Sequence, residues 1–214
     1  MTKDRLGISD RLILATHNEG KLREFRELLA PMGITVMSAA DCGLPEPEET
    51  ETTFAGNAEL KAVAAMSATG LPALADDSGV TVEALNGDPG VYSARWAGEP
   101  RDFGMAMGLV LDKLATADAT TDEARGAAFV AVLALARPGA ETLLFEGRCD
   151  GHITDAPRGG LGFGYDPIFV PQDGDGRTFG EMSSEEKHGG ERPLSHRARA
   201  VALFKAALEG GGAR

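Results

Sequence analysis

Apolar residues near the start of the chain follow a strand pattern, then a helix pattern, then a strand pattern again. Residues 11–16, RLILAT, form a short apolar run that is typical of a buried strand. The apolar side chains that follow share the spacing of one helix face: Leu22, Phe25, Leu28 and Leu29. Pro31 and Gly33 are predicted to end this helix, and a second strand is predicted from Ile34. The strand–helix–strand order indicates an α/β fold.

Strands and helices continue to alternate along most of the remaining chain. The predicted elements are, in order, a helix capped by Thr52 or Thr53 that ends near Ala68, a strand over residues 72–75 that ends at Asp76 and Asp77, a helix over 103–114, a hairpin of strands 127–136 and 142–148, and a helix after Ser195. Residues 151–190 lack periodicity and hold ten of the 28 glycines. Long segments of this kind in compact domains are usually functional or disordered.

Length and charge narrow the class of protein. With 214 residues, the chain is long enough for one domain or for two closely associated lobes. The formal net charge is −12. This charge argues against nucleic acids and anionic membrane surfaces as partners, because both attract basic proteins. The longest apolar run, ten residues at 127–136, is too short to span a bilayer.

The first residues and the cysteines indicate the cellular compartment of the protein. The first ten residues contain no apolar segment of a signal peptide, so we expect a cytoplasmic protein. Cys42 and Cys149 form neither a CxxC motif nor a disulfide framework, which fits a reducing environment. The four histidines lack the spacing of a zinc site.

Two predicted helix starts carry basic residues where the helix dipole disfavours them. Residues 16–21, THNEGK, place Lys21 in the first turn of a helix, and residues 195–199, SHRAR, do the same at the last helix. Exposed amides at such positions bind anions, so a common polyanionic ligand would account for both. The alternatives are a capping Asn18 beside a solvated lysine, and a basic surface turn. The first segment lacks the GxxxxGK[ST] pattern of a P-loop.

Carboxylates form a second kind of candidate site. Successive side chains of a strand point to opposite faces, so one of Asp76 and Asp77 is expected to face a ligand. Such a carboxylate could bind Mg²⁺ or act as a base toward water, or the pair could form an Asx turn. The four glutamates of residues 46–51 are suitable Mg²⁺ ligands, or else a solvated loop.

A glycine-rich segment, residues 160–167, GLGFGYDP, supplies aromatic side chains. Glycine allows a ligand to approach the backbone, and Phe163 could stack on a nucleobase or plug back into the core. Residues 173–176, DGDG, lack the later ligands of a calcium loop. Two phosphate-type sites, a carboxylate pair and a stacking aromatic together describe a nucleotide with a divalent ion.

Six segments spread over nearly the whole chain carry a family resemblance: LILATHNEGKLREFRELL, EETETTFAGNAELKA, LADDSGVTVEALNGDPGVYSARWAG, GFGYDPIF, EMSSEEK and SHRARA. They resemble the non-canonical purine NTP pyrophosphatases, the family of dITP/XTP diphosphatases and inosine triphosphatases. The resemblance implies hydrolysis of ITP, dITP and XTP to the monophosphate and pyrophosphate with Mg²⁺, which cleanses the nucleotide pool. It also implies an elongated mixed β-sheet flanked by helices, two lobes with the active-site cleft between them, and a homodimer. We expect a single domain over residues 1–214, with a frayed tail at 210–214.

Positions within these motifs imply roles for single residues. Glu49 and Asp77 resemble metal ligands, with Asp77 also the proton acceptor. The implied substrate contacts are the phosphate loop Thr16, His17, Asn18, Glu19, Gly20 and Lys21; Ser78; the base-side loop Phe163, Gly164, Tyr165 and Asp166; Lys187; and the base-recognition pair His196 and Arg197. Lys61 is a further candidate for a phosphate contact.

The chain departs from the usual family pattern at three places. The motif ETG reads Glu49-Thr50-Glu51 here, and the motif ENA reads Gly56-Asn57-Ala58. These two changes could compensate each other, and they leave open which glutamate of residues 46–51 binds the metal. The segment between Lys187 and Ser195 is also longer than the family's usual spacing.

Two other functions stay open on the sequence. One is a pyrophosphatase for a pyrimidine or another modified nucleotide. The other is a non-catalytic nucleotide-binding module. Asp77 and the acidic loop argue against the module, because a binder needs no carboxylate that activates water.

Overall fold

The computed structural model describes Leu6, Ile8 and residues 11–210 of the chain. The predictions made for the rest of residues 1–10 and for the tail after Gly210 therefore lie outside the described residues. Within the described part of the chain, no helix is both long enough and apolar enough to cross a membrane.

Within the described residues, six strands form one mixed sheet in the order β2-β1-β3-β4-β5-β6. Their bounds are β1 Arg11–Leu14, β2 Thr35–Ser38, β3 Ala73–Val82, β4 Gly126–Ala136, β5 Leu143–Ile153 and β6 Phe169–Pro171. Strand β1 runs parallel to β2 and to β3, and Ile13 pairs with Met37 on one side and Ala73 on the other. Strands β5 and β6 are antiparallel. The predicted α/β fold with a mixed sheet is confirmed.

In the part of the chain that the structure describes, five α-helices accompany the sheet: α1 Glu19–Leu29, α2 Phe54–Thr69, α3 Phe103–Thr116, α4 Ser184–His188 and α5 His196–Glu209. Their ends follow from local chemistry. The side chain of Thr53 accepts the Gly56 amide at 3.1 Å and caps α2, and Gly70 ends that helix with a left-handed φ of 69°. The predicted apolar face of α1 is buried through Leu22, Phe25 and Leu29.

The strand predicted to end before the two aspartates is longer than expected. Strand β3 runs through Asp76 and Asp77 to Val82, so the predicted strand end at these residues is wrong, and the alternative of an Asx turn does not occur. Both aspartates are buried, at 1% and 5% exposed. Their burial is tolerated because lysines from other elements pair with them, and these partners are not visible in the local sequence.

The region 151–190 contains more regular structure than its sequence pattern suggests. Strand β5 extends to Ile153, β6 follows, and α4 begins at Ser184. Two 3₁₀ turns, Asp166–Ile168 and Phe179–Glu181, lie between these elements. The elements are short, with three to five residues each, which explains why no periodicity was visible.

The described chain divides into two compact units, each with its own apolar core. The first contains residues up to Asp77, 131–147 and those from Ala200 onward, and its core includes Phe25, Leu133 and Phe204. The second contains residues 78–130 and 148–199, and its core is centred on aromatic side chains of Phe129, Phe169 and Phe179. The boundary falls inside β3, between Asp77 and Ser78.

Candidate active site

The start of α1 is built as the sequence predicted, with one additional partner. Asn18 caps the helix and accepts the Lys21 amide at 3.1 Å. The Lys21 ammonium lies 2.9 Å from Oδ2 of Asp76, whose side chain is fully buried. An internal carboxylate therefore supplies part of the negative charge that this helix start attracts.

The other residues of segment 16–21 connect β1 to α1 and open that helix. The hydroxyl of Thr16 accepts the Asn18 amide at 3.1 Å. The exposed His17 ring bonds the Leu44 carbonyl through Nε2 at 2.9 Å, and Glu19 and Gly20 open α1. The segment presents backbone amides and Lys21 together at the amino end of a helix, which is a geometry suited to an anion.

Lys61, Glu49, Asp77 and Asn57 form a second group in the same unit, called here the Lys61 cluster. The Lys61 ammonium lies 2.6 Å from Oε1 of Glu49 and 3.2 Å from Oδ1 of Asp77. Lys61 and Asn57 project from α2, Asp77 from β3, and Glu49 from the acidic loop before α2. Of the four glutamates in residues 46–51, Glu49 is the one paired with this buried lysine.

Burial dominates the electrostatics of this cluster. Desolvation raises the pKa of Asp77 above its ordinary value, although Lys61 and Lys21 act in the opposite direction. Burial favours the neutral amine of Lys61, but the carboxylates of Asp77 and Glu49 outweigh that effect, so the pKa of Lys61 is raised. A carboxylate with a raised pKa is a better proton acceptor than an ordinary aspartate, and it gains from any further cation.

The carboxylates of the Lys61 cluster fit a magnesium site in which the protein supplies only one or two ligands. Among the described residues, no group of three or more His, Cys, Asp or Glu side chains is arranged to hold a metal. Mg²⁺ in phosphate-transfer sites, however, is commonly held by one or two carboxylates, with waters and substrate phosphates as the other ligands. Glu49 and Asp77, which converge on one cationic nitrogen, fit that description.

Asn57 is a residue of this cluster to which sequence reasoning gave no role. It is fully buried, its Nδ2 donates to Oδ2 of Asp77 at 3.3 Å, and its Oδ1 accepts the Glu51 amide at 3.0 Å. A signal was present, since Asn57 and Lys61 are the polar residues four apart on an alanine-rich helix. Residues four apart share a helix face, and that face is buried.

The second unit holds another set of predicted site residues, called here the Arg197 cluster: Arg197, Ser78, Phe163, Asp166 and Lys187. The Arg197 guanidinium donates to the Ser78 hydroxyl at 2.8 Å through Nη2 and lies 5.8 Å from the centre of the Phe163 ring. Arg197 is 3% exposed, whereas Ser78 and Phe163 are half-buried. The arrangement places a rigid donor beside an aromatic face.

A buried ion pair shapes the loop that carries Phe163. Lys187 lies 3.0 Å from Oδ2 of Asp166, and the same oxygen accepts the Phe163 amide at 3.3 Å. A Cβ at Gly162, whose φ is 78°, would collide with that oxygen and lie 2.7 Å from the Lys187 ammonium. Glycine is therefore required at 162. Lys187 contacts the base-side loop even though the segment that follows it is longer than the family's usual spacing.

Two predicted site residues direct their rings into the core of the second unit. Tyr165 is 2% exposed, and its hydroxyl donates to the Ser93 carbonyl at 2.8 Å. Gly164, which precedes it, has a left-handed φ of 68°. The His196 ring stacks on Phe129 with centroids 4.7 Å apart and an interplanar angle of 9°. Both side chains support the cluster by packing.

Arg199, the last basic residue of the SHRAR segment, holds the chain between Lys187 and α5. It donates to the Pro193 carbonyl at 2.9 Å, to the Arg148 carbonyl at 2.9 Å, and to Asp173 at 2.8 Å. The Ser195 amide in turn donates to the Lys187 carbonyl at 3.0 Å. The long segment is thus fastened at its end, which explains how its extra length is accommodated.

Comparison with known proteins gives consistent matches over most of the chain. The model of the Ham1 family matches residues 12–207. A dITP/XTP pyrophosphatase from Brucella melitensis is 55% identical over 91% of each chain, and one from a Bradyrhizobium species is 52% identical over 94% of each. Among solved structures, a HAM1 protein from Coxiella burnetii has a TM-score of 0.80 at 38% identity, covering 92% of this chain and 98% of that one. A nucleoside-triphosphatase/dITP/XTP pyrophosphatase from Mycobacterium abscessus has a TM-score of 0.71 at 43% identity, covering 91% and 98%.

Proposed function

The chain belongs to the Ham1 family, and we propose that it hydrolyses non-canonical purine nucleoside triphosphates, such as ITP, dITP and XTP, to the monophosphate and pyrophosphate. The observation that carries the proposal is the Lys61 cluster, where Glu49 and Asp77 meet one buried ammonium. A buried carboxylate and a partly exposed one that converge on a buried ammonium in this way are costly to maintain, and they supply both a metal-binding group and a proton acceptor.

Glu49 and Asp77 would hold Mg²⁺ together with phosphate oxygens of the substrate. The ion supplies charge neutralisation at the phosphoanhydride that is cleaved. Asp77 orients the attacking water and accepts its proton. Lys61 keeps the two carboxylates in place and offsets their mutual repulsion.

The amino end of α1 would bind the phosphate chain. Backbone amides of residues 16–21 and the Lys21 ammonium donate to phosphate oxygens, and Asp76 holds Lys21 in position. Fixed donors at this position would stabilise the negative charge of the phosphate groups during cleavage.

The Arg197 cluster would recognise the base. Phe163 stacks on the purine, and Arg197 donates to the 6-oxo group of hypoxanthine or xanthine, which the 6-amino group of adenine cannot replace as an acceptor. Ser78, which accepts a hydrogen bond from Arg197, is the residue that follows Asp77 in β3. The homodimer and the cytoplasmic location implied by the resemblance also stay predictions.

A nucleotide panel tests this function. Pyrophosphate release from ITP, dITP, XTP, ATP, GTP, dUTP and TTP is measured with and without Mg²⁺. We expect release from the first three that requires Mg²⁺ and exceeds that from ATP at least tenfold in kcat/KM. Preference for dUTP or TTP would replace the proposal with a pyrimidine or modified-nucleotide pyrophosphatase. Tight ITP binding without release would indicate a binding module.

A further inference from the structure

We propose that Asn57 is a positioning residue for this reaction, because it joins the proposed base Asp77 to the acidic loop that carries Glu49. The inference rests on the proposed function. Asn57 is a neutral side chain of α2 and is fully buried. Its side chain bonds to Asp77 and to the backbone of Glu51, so its action on the reaction must pass through these two residues.

The two hydrogen bonds of Asn57 fix the orientation of its amide. A backbone N–H can only donate, so the oxygen Oδ1 faces the Glu51 amide at 3.0 Å. The nitrogen Nδ2 then faces Oδ2 of Asp77, 3.3 Å away, and an ionised carboxylate can only accept. The other oxygen of Asp77 is the one bonded to Lys61. Each Asp77 oxygen thus has its own donor on α2, and the plane of the carboxylate is set by the helix.

Glu51 of the acidic loop packs closely against Gly56, the residue of α2 that precedes Asn57. A Cβ at Gly56 would lie 2.8 Å from Cβ and 2.9 Å from Cγ of Glu51. Any larger residue at 56 would therefore displace Glu51 and, through the chain, Glu49. The glutamate at 51 and the glycine at 56 are thus sterically matched in this chain.

Asn57 and Gly56 consequently act on the same loop in two independent ways. One holds the loop by a hydrogen bond to the backbone, and the other leaves room for its side chain. Partners that orient metal ligands without touching the metal typically contribute about 10- to 100-fold to metal affinity or activity. We therefore expect a substitution at either residue to weaken Mg²⁺ binding by Glu49 and Asp77.

The test uses Asn57→Ala and Gly56→Ala in the full chain. Three quantities are measured: kcat for ITP, the Mg²⁺ concentration for half-maximal activity, and the hydrogen-exchange rate of the Glu51 amide in metal-free protein. Gly56→Ala keeps Asn57 and increases helix propensity, so it guards against a failure of Asn57→Ala to fold. The matched control is Gly108→Ala in α3, where a Cβ meets nothing within 4 Å.

We expect both variants to need about 10- to 100-fold more Mg²⁺, and Asn57→Ala also to lose at least about tenfold in kcat. Exchange of the Glu51 amide should accelerate in Asn57→Ala, while the Gly108→Ala control behaves as wild type. A lower melting temperature with unchanged kcat, Mg²⁺ requirement and exchange rate would overturn the inference. If wild type itself does not hydrolyse ITP, the proposed function fails, whereas the exchange rate still tests the bridge made by Asn57.

Discussion

The ammonium nitrogen of Lys61 lies 3.2 Å from Oδ1 of Asp77, and both side chains are at least 92% buried, with exposures of 8% and 7%. A lysine at this depth is stable as a cation because Glu49 lies 2.6 Å away on another side of the same nitrogen. The cluster is therefore a fixed arrangement of charges, in which removal of one member leaves the others inadequately compensated.

Replacing Lys61 by methionine tests this arrangement. Breaking a buried ion pair typically costs about 3–5 kcal/mol, so the unfolding free energy should fall by roughly that amount. Mg²⁺ can substitute for the lost charge, so it should raise the melting temperature of Lys61→Met more than that of wild type. The exposed Lys205→Met variant on α5 serves as control. Equal Mg²⁺ effects on all three proteins would contradict the idea that a cation belongs between Glu49 and Asp77.

Lys21→Ala should weaken substrate binding more than it slows chemistry. The substitution removes a phosphate donor whose charge-assisted bonds are worth about 1.5–3 kcal/mol, so KM for ITP should rise about 10- to 100-fold. It also removes the cation 2.9 Å from the buried Asp76, so a fall in stability should accompany it. Steady-state kinetics with ITP measures the effect, with Lys205→Ala as control. An unchanged KM would exclude the phosphate role.

The pairing of Lys21 with Asp76 shows where sequence reasoning reached its limit. The period of α1, its Asn18 cap and the unfavourable lysine in its first turn were all visible in the sequence. The partner of that lysine lies 55 positions away on β3, and only the parallel pairing of β1 with β3 brings the two elements together. Local pattern gives the element but not the neighbour, because register across a sheet is set by tertiary packing.

Arg197→Gln should reduce discrimination between bases. The planar guanidinium donates to Ser78 and lies over Phe163, so glutamine loses both the fork geometry and the charge. We expect the ratio of kcat/KM for ITP to that for ATP to fall about tenfold or more, because a lost charged hydrogen bond costs about 1.5–3 kcal/mol. Arg192→Gln, exposed in the preceding segment, is the control. A ratio that stays at the wild-type value would remove Arg197 from base recognition.

The thiol of Cys149 should resist alkylation over a wide pH range. Burial raises its pKa to about 12, so the reactive thiolate is nearly absent below about pH 10. Iodoacetamide at pH 8 should therefore modify native protein at Cys42, which is partly exposed, and reach Cys149 after denaturation. Mass spectrometry counts the adducts, and Cys42→Ser isolates the buried thiol. Rapid native modification of Cys42→Ser would show that Cys149 is accessible.

For the base-side loop, the sequence indicated an unusual segment but not the directions of its aromatic side chains. Its glycines and aromatics marked residues 160–167 as unusual, and Gly162 does occupy a position that a side chain would block. The sequence could not show that Tyr165 turns inward to the Ser93 carbonyl, 72 positions earlier, while Phe163 stays half-buried beside Arg197. Which of two neighbouring aromatics faces the core depends on hydrogen-bond partners that are distant in sequence.

Pyrophosphate release from ITP by Asp77→Asn is the most direct test of the account. Asparagine keeps the shape of the buried side chain but cannot accept the proton of water, and general-base catalysis typically contributes about 10²- to 10⁴-fold. With saturating Mg²⁺, wild type and the exposed control Asp112→Asn should release pyrophosphate at equal rates. The Asp77→Asn variant should keep the fold, as judged by circular dichroism, and lose at least about 100-fold in kcat. Folded Asp77→Asn protein that turns over ITP at nearly the wild-type rate would contradict the central claim.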